Sequence, residues 1–121
     1  MHRIDRLTGS QLMRLWGVSS WPNVDGDYFL WDGAAVFALR DRGEYVEIHM
    51  AMKKGERHKC REAVSDALSI IGKREVHALI ESQYKHVRNL AKNMGFTHHS
   101  EFEGLRKDGS VTKVIKMVRY I

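Results

Sequence analysis

Three strand-length apolar segments, DYFLW at 27–31, AAVFALR at 34–40 and EYVEIHMAM at 44–52, follow one another with only Asp32-Gly33 and Asp41-Arg42-Gly43 between them. Aspartate-glycine between apolar runs is a hairpin signal, because both central residues of a type I′ turn need positive φ. The middle of the chain is therefore an antiparallel three-strand meander, and every other element has to be packed on it or paired beside it. In its last strand Val46, Ile48, Met50 and Met52 share one face, while Tyr45, Glu47 and His49 share the other.

The flanking segments have helical or strand periods. Residues 2–7 alternate weakly and predict a short strand. Thr8 and Ser10 are candidate N-caps for a helix over 9–18, with Leu12, Leu15 and Trp16 at helical spacing. The segment SSWPNVDGD then forms a loop around the only proline, Pro22. After a basic link, Lys53 to His58, the residues Cys60, Ala63, Val64, Ala67, Leu68 and Ile71 recur every three or four positions and predict an amphipathic helix ending at Gly72. EVHALI at 75–80 is of strand length. A helix over 83–94 presents Val87, Leu90, Ala91 and Met94 on one side, and two strands, 97–105 and 110–121, flank the turn Lys107-Asp108-Gly109.

The order β-α-β-β-β-α-β-α-β-β predicts an α/β (α+β) fold: a mixed, mostly antiparallel sheet with a central parallel pair, joined by a right-handed crossover, and flanking helices. With 121 residues, 1–121 is expected to be one domain that buries about two-thirds of its unfolded surface. One cysteine cannot close an intrachain disulfide. The charged N-terminus is no signal peptide, and no run nears the ~20 apolar residues of a membrane span, so a cytoplasmic location without membrane contact is expected. The net charge of +5 favours an anionic partner.

The segment YKHVRNLAKNMGF at 84–96, with Met94-Gly95-Phe96 after Val87, Leu90 and Ala91, resembles the last crossover helix of the GNAT superfamily of acyl-CoA-dependent N-acetyltransferases. Upstream, AMKKGERHKCREA at 51–63 is similar to that family's strand end, basic turn and helix start. Arg57 stands where the arginine of the Arg-Gly-x-Gly-x-Gly or Ala loop is found. The combination looks most like the compact members encoded by bacteriophages, which implies a host-cytoplasmic or virion setting.

The resemblance implies acetyl-CoA as co-substrate. Its pyrophosphate would rest on the amides of Arg57, His58, Lys59 and Cys60, with Lys53, Lys54, Arg57 and Lys59 adding charge, and its pantetheine would lie along Met50 to Met52 at a splay between the parallel strands. The chain departs from the family pattern in several places. The loop glycines are His58, Cys60 and Glu62, the asparagine that often opens the last helix is Tyr84, and the tyrosine that often protonates the leaving thiolate is Ala91.

Glu47 and His49, two apart on one strand face, are candidate bases for an ammonium acceptor, and imidazole titrates near neutrality. The alternative for both is a hydrogen-bonded, partly solvated sheet face. Tyr84 is a candidate acid towards the sulfur, against a tyrosine packing the helix start with its tip in water. Cys60 beside His58 is better read as a buried cysteine on an apolar helix face than as a nucleophile. His98 and His99 point to opposite strand faces, and no metal is expected. Trp16, Trp21 and Trp31 read as core or rim residues, with Trp21, in the proline-containing loop, also a candidate to line an acceptor cleft.

The readings that follow are an acetyltransferase acting on an amine of unspecified identity, a non-catalytic virion or assembly protein working through protein contacts, and, as a minority reading, a nucleic-acid module. The last lacks a recognition helix, zinc ligands or a stacking signature.

Overall fold

A computed structural model describes residues 1–121. One sheet of seven strands runs β1 (His2–Ile4), β2 (Asp27–Trp31), β3 (Ala35–Asp41), β4 (Tyr45–Met52), β5 (Glu75–Glu81), β7 (Val111–Arg119) and β6 (Thr97–Leu105) from edge to edge. All neighbours are antiparallel except β4 and β5. The connection between those two is helix α2 (Cys60–Ile71), which follows a 3-10 turn over Arg57–Lys59. Helix α1 (Arg6–Leu15) precedes β2, and α3 (Lys85–Asn93) joins β5 to β6. No helix is long and apolar enough to cross a membrane.

The meander forms as its turns dictate. Ala34 N–H donates to Trp31 C=O at 2.9 Å, and Asp32 and Gly33 both have positive φ, +50° and +59°, as a type I′ turn requires. The second turn is closed by Gly43 N–H donating to the Asp41 carboxylate at 2.9 Å. Arg74, just before β5, adds an ion pair to Asp41 at 2.8 Å and a bond to Gly43 C=O. The Arg74 bond, with the Gly43 amide behind it, pulls the Asp41 carboxyl down to about 2. Its folded pKa lies below the unfolded value, so the pair stabilises the fold above the ordinary aspartate range and loses that contribution as pH falls from about 4 towards 2. Acid titrations of melting temperature should accordingly show a steeper decline over that interval for wild type than for Asp41→Asn. Parallel curves would rule the linkage out.

Alternation along the strands divides the core between the two sheet faces. On one, α2 contributes Ala63, Val64, Ala67 and Leu68 and α3 contributes Ala91, packed with Phe37, Leu39, Val46, Ile48, Met52, Val76, Ile80 and Met117. On the other, α1 places Met13 with Trp21, Tyr28, Val36, Ala38 and Ala51.

The N-terminal boundaries differ from those the sequence predicts. The strand stops at Ile4 and the helix runs from 6 to 15, a turn earlier than 9–18, because the cap is Asp5. Its carboxylate accepts from Thr8 N–H at 3.3 Å and its carbonyl from Gly9 N–H at 2.9 Å. Ser10 therefore lies inside the helix, fully buried, with its hydroxyl 2.6 Å from Asn23 Oδ1 and 3.3 Å from Tyr28 OH. Tyr28 OH in turn donates to Val24 C=O at 2.7 Å and accepts from Trp21 Nε1 at 3.1 Å. This knot fastens the loop between α1 and β2 to the sheet.

Candidate active site

The parallel ladder between β4 and β5 is short. It holds Tyr45 opposite Glu75, Val46 opposite Val76 and Glu47 opposite His77, and ends there. On their outer sides both strands stay paired, β4 with β3 as far as Met52 and β5 with β7 as far as Glu81. The facing edges of residues 48–52 and 78–81 are consequently left without cross-strand partners. Such a slot can take an extended, amide-bearing chain in the way a sheet edge takes a peptide strand.

Glu47 and His49 sit where the slot begins, on the α1 side of the sheet. His49 Nε2 lies 2.5 Å from Glu47 Oε1 and Arg40 Nη1 lies 3.3 Å from the same oxygen. Arg40 is opposite Glu47 in the β3–β4 register and is itself held by Asp25 C=O at 3.1 Å. The His49 hydrogen bond, followed by the charges of His49 and Arg40, lowers the Glu47 pKa in spite of its burial. Glu47 is thus an ionised acceptor at neutral pH, a poor proton acceptor but a good anchor. An ionised carboxylate can only accept, so Nε2 must carry the proton, which leaves Nδ1 as the basic atom of the neutral ring. The Trp21 ring, 6% exposed, stands edge-on to His49 with centroids 5.0 Å apart. The knot around Tyr28 fixes that wall.

A second imidazole lies at the last laddered pair. His77, opposite Glu47, is buried, stacks on Tyr45 at 3.7 Å with ring planes 10° apart, and places Nε2 2.6 Å from Glu75 Oε2.

At the open end the link 53–56 leads to the 3-10 turn. Backbone N–H groups of Lys54, Gly55, Arg57 and His58 have no acceptor in the protein. Those of Lys59 and Cys60, grouped with them from the sequence, are already bonded. Lys59 N–H donates to Glu56 C=O and Cys60 N–H to Arg57 C=O, because a 3-10 turn precedes the helix and consumes the donors. The Lys59 side chain is likewise engaged, 3.2 Å from Glu56 and 3.3 Å from Asp32, with Glu56 first among the causes that raise its pKa. Lys53, Lys54 and Arg57 are exposed and free of carboxylates, and His58 is exposed.

Met50 is half-buried and the Met52 side chain lies in the core, so either could meet a ligand in the slot through its backbone edge. Tyr84 caps α3 through its carbonyl, is 41% exposed, and turns its ring edge-on to His86 at 6.3 Å. Its hydroxyl has no partner within the protein, and no distance ties it to Glu47 or His49. Cys60 is half-buried against the core.

The sequence reading missed Arg40 and the Trp21–His49 contact. Arg40 was recoverable, since a hairpin turning at 41–43 sets it opposite Glu47. The Trp21 contact depends on the loop's path and has no local signal.

No protein-family model and no curated protein matches this chain. Solved structures do. A Bacteroides thetaiotaomicron protein described as a GNAT-family acetyltransferase superposes with TM-score 0.71 at 14% identity, over 99% of this chain and 86% of that one. A Salmonella typhimurium protein described as an acetyltransferase, solved with its cofactor acetyl-CoA, gives 0.68 at 16% identity over 98% and 91%. A protein described as a phosphinothricin N-acetyltransferase gives 0.62 at 20% identity over 73% of this chain, which spans 63% of that one's length. At such identities the likeness establishes the fold: the chain folds as GNAT acetyltransferases do.

Proposed function

We propose that this GNAT-fold chain transfers an acetyl group from acetyl-CoA to an amine. The observation that carries the reading is the slot between β4 and β5 with the Glu47–His49 pair at its inner end. The arm of acetyl-CoA is an extended chain with two amides, suited to the unpaired edges of residues 48–52 and 78–81. Its diphosphate would meet the free amides at 54, 55, 57 and 58 and the cations Lys53, Lys54 and Arg57.

The chemistry then falls to named atoms. The acceptor arrives as an ammonium ion and gives a proton to His49 Nδ1, while Glu47, braced by Arg40, holds the ring and offsets the charge it gains. The free amine attacks the thioester carbonyl, whose oxygen is stabilised by unpaired strand N–H groups lining the slot; the carbon–sulfur bond then breaks, its electron pair leaves on the CoA sulfur, and the remaining surplus nitrogen proton passes to solvent.

A second reading, a non-catalytic assembly protein of phage origin, rests on the site's weaker side. Lys59 is neutralised by Asp32 and Glu56, and two of the four amides grouped as a phosphate cradle are bonded elsewhere.

Thermal melting separates the two. Acetyl-CoA at 100 times its dissociation constant should add about 2.7 kcal/mol, several degrees for a chain of this length. Arg57→Glu should abolish the shift. An unchanged melting temperature at millimolar acetyl-CoA favours the assembly reading, and a shift preserved in the variant relocates the phosphate site.

A further inference from the structure

His49 is open to an acceptor from few directions. Trp21 stands edge-on to its ring on the side of the α1–β2 loop. Towards Tyr45 the face is filled, because Glu47, His77 and Val118 form one row across β4, β5 and β7 and all three are buried. Towards the end of β5, Arg106 reaches Glu81 at 3.0 Å and Thr112 Oγ1 at 3.2 Å. An acceptor whose amine meets His49 therefore has to extend across the strands, over β5 and β7.

That ground is bare. α1 packs on β2, β3 and β4, and α2 and α3 supply the core of the opposite face. On the α1 side of β5 and β6, Leu79 is 37% and Phe102 44% exposed. Strand alternation sets what lies there. Leu79 follows His77 by two residues and pairs with Lys116, just as His49 follows Glu47 by two. His49, Leu79 and Lys116 thus form the row next to the buried one, on the same face. The Cα atoms of His49 and Lys116 are two strand spacings apart, on the order of 10 Å.

Place distinguishes Lys116 from the chain's other free cations. Among the residues of β5, β7 and β6 turned to this side it is the only lysine or arginine, since Lys113 and Arg119 alternate with it on the other face. The acids on its own face are taken, Glu75 by His77 and Glu81 by Arg106.

We infer that the acceptor is an amino acid in the broad sense, a primary amine carrying a carboxylate a few carbons away, with its amine at His49, its chain over Leu79 and its carboxylate on the Lys116 ammonium. The inference rests on the acetyl-CoA reading of the site. Such a zwitterion meets an opposite charge at each end, Glu47 beside the ammonium and Lys116 at the acid. A diamine would set a second ammonium against Lys116, and a plain alkylamine would leave the lysine unanswered.

The test compares acceptors of equal chain length with acetyl-CoA as donor, reading release of CoA thiol at low ionic strength: γ-aminobutyrate, butylamine and putrescine, then ε-aminocaproate, hexylamine and hexamethylenediamine. At each length kcat/KM for the amino acid should exceed that for the alkylamine by about tenfold, chiefly through KM, and that for the diamine by more. Lys116→Met should bring amino acid and alkylamine to within about twofold of one another, and Lys116→Glu should reverse the order in favour of the diamine. Either variant decides the matter should the other not fold. A wild type that takes alkylamines or diamines as readily as amino acids overturns the acceptor class. A preference that survives in Lys116→Met makes Lys116 an ordinary solvated strand lysine and overturns its role. In both cases acetyl transfer stands. If acetyl-CoA raises the melting temperature but neither amino acid is acetylated, the acceptor class is wrong and the cofactor reading holds. If acetyl-CoA raises nothing, that reading falls, and the acceptor class with it.

Discussion

His49→Gln should lower kcat for acetyl transfer by roughly two to four orders of magnitude, the range that a positioned general base contributes. The glutamine side chain keeps a hydrogen bond to Glu47 but offers no basic nitrogen. Acetyl-CoA affinity should stay within about twofold, since His49 lies on the α1 side of the sheet, away from the free amides at 54–58. The measurement is release of CoA thiol with an amine that the wild type acetylates, alongside calorimetric binding of acetyl-CoA. A variant with undiminished kcat would remove His49 from the reaction. Glu47→Gln is the companion experiment. It should cost less, because the ring keeps its nitrogen and loses only the anchor that sets the tautomer.

The largest effect on stability is expected at Gly9→Ala. Gly9 lies within α1, where alanine is ordinarily the better helix former. Here a Cβ would stand 2.6 Å from Tyr28 Cγ and 2.8 Å from its Cβ, nearer than such atoms approach. The ring cannot swing aside: its hydroxyl is held by Val24 and Trp21, its edge meets Trp21, and it is 1% exposed. Either α1 lifts from the sheet or the knot breaks, for a loss of about 3 kcal/mol and on the order of 10 °C in melting temperature. Pairing the change with Tyr28→Ala gives the control, since removing the ring should relieve the clash and leave the double variant no less stable than Tyr28→Ala alone. A melting temperature unaltered by Gly9→Ala would mean that α1 is not seated as described.

Local pattern carried the strands and helices, and the reasons are visible in individual residues. Asp32-Gly33 has one good use between apolar runs, and the three- and four-residue spacing of Ala63, Val64, Ala67 and Leu68 matches the face that α2 buries. The start of α1 was misplaced although its signal was present. Asp5 with Thr8 is as good a cap pattern as Thr8 or Ser10 before the leucines, and only tertiary structure shows that Ser10 is wanted in the interior. The pairing of Glu47 with His49 followed from a two-residue spacing on a strand. The partners that tune it came from farther away: Arg40 through a hairpin register, Trp21 through a loop whose course nothing nearby encodes. The amides of Lys59 and Cys60 were misjudged for a related reason, since whether a helix opens with an α or a 3-10 turn is a matter of one carbonyl, that of Glu56, and composition does not fix it.

Three residue pairs are all that welds β4 to β5. The halves of the sheet on either side behave as two stiff leaves on a narrow joint, and their spread is set by the apolar layer from α2 and α3 that spans both. The width of the opening is therefore set from behind, by the bulk of buried residues such as Ala67 and Leu68. Small changes in that backing would alter the gap between the two strand edges long before they altered the topology.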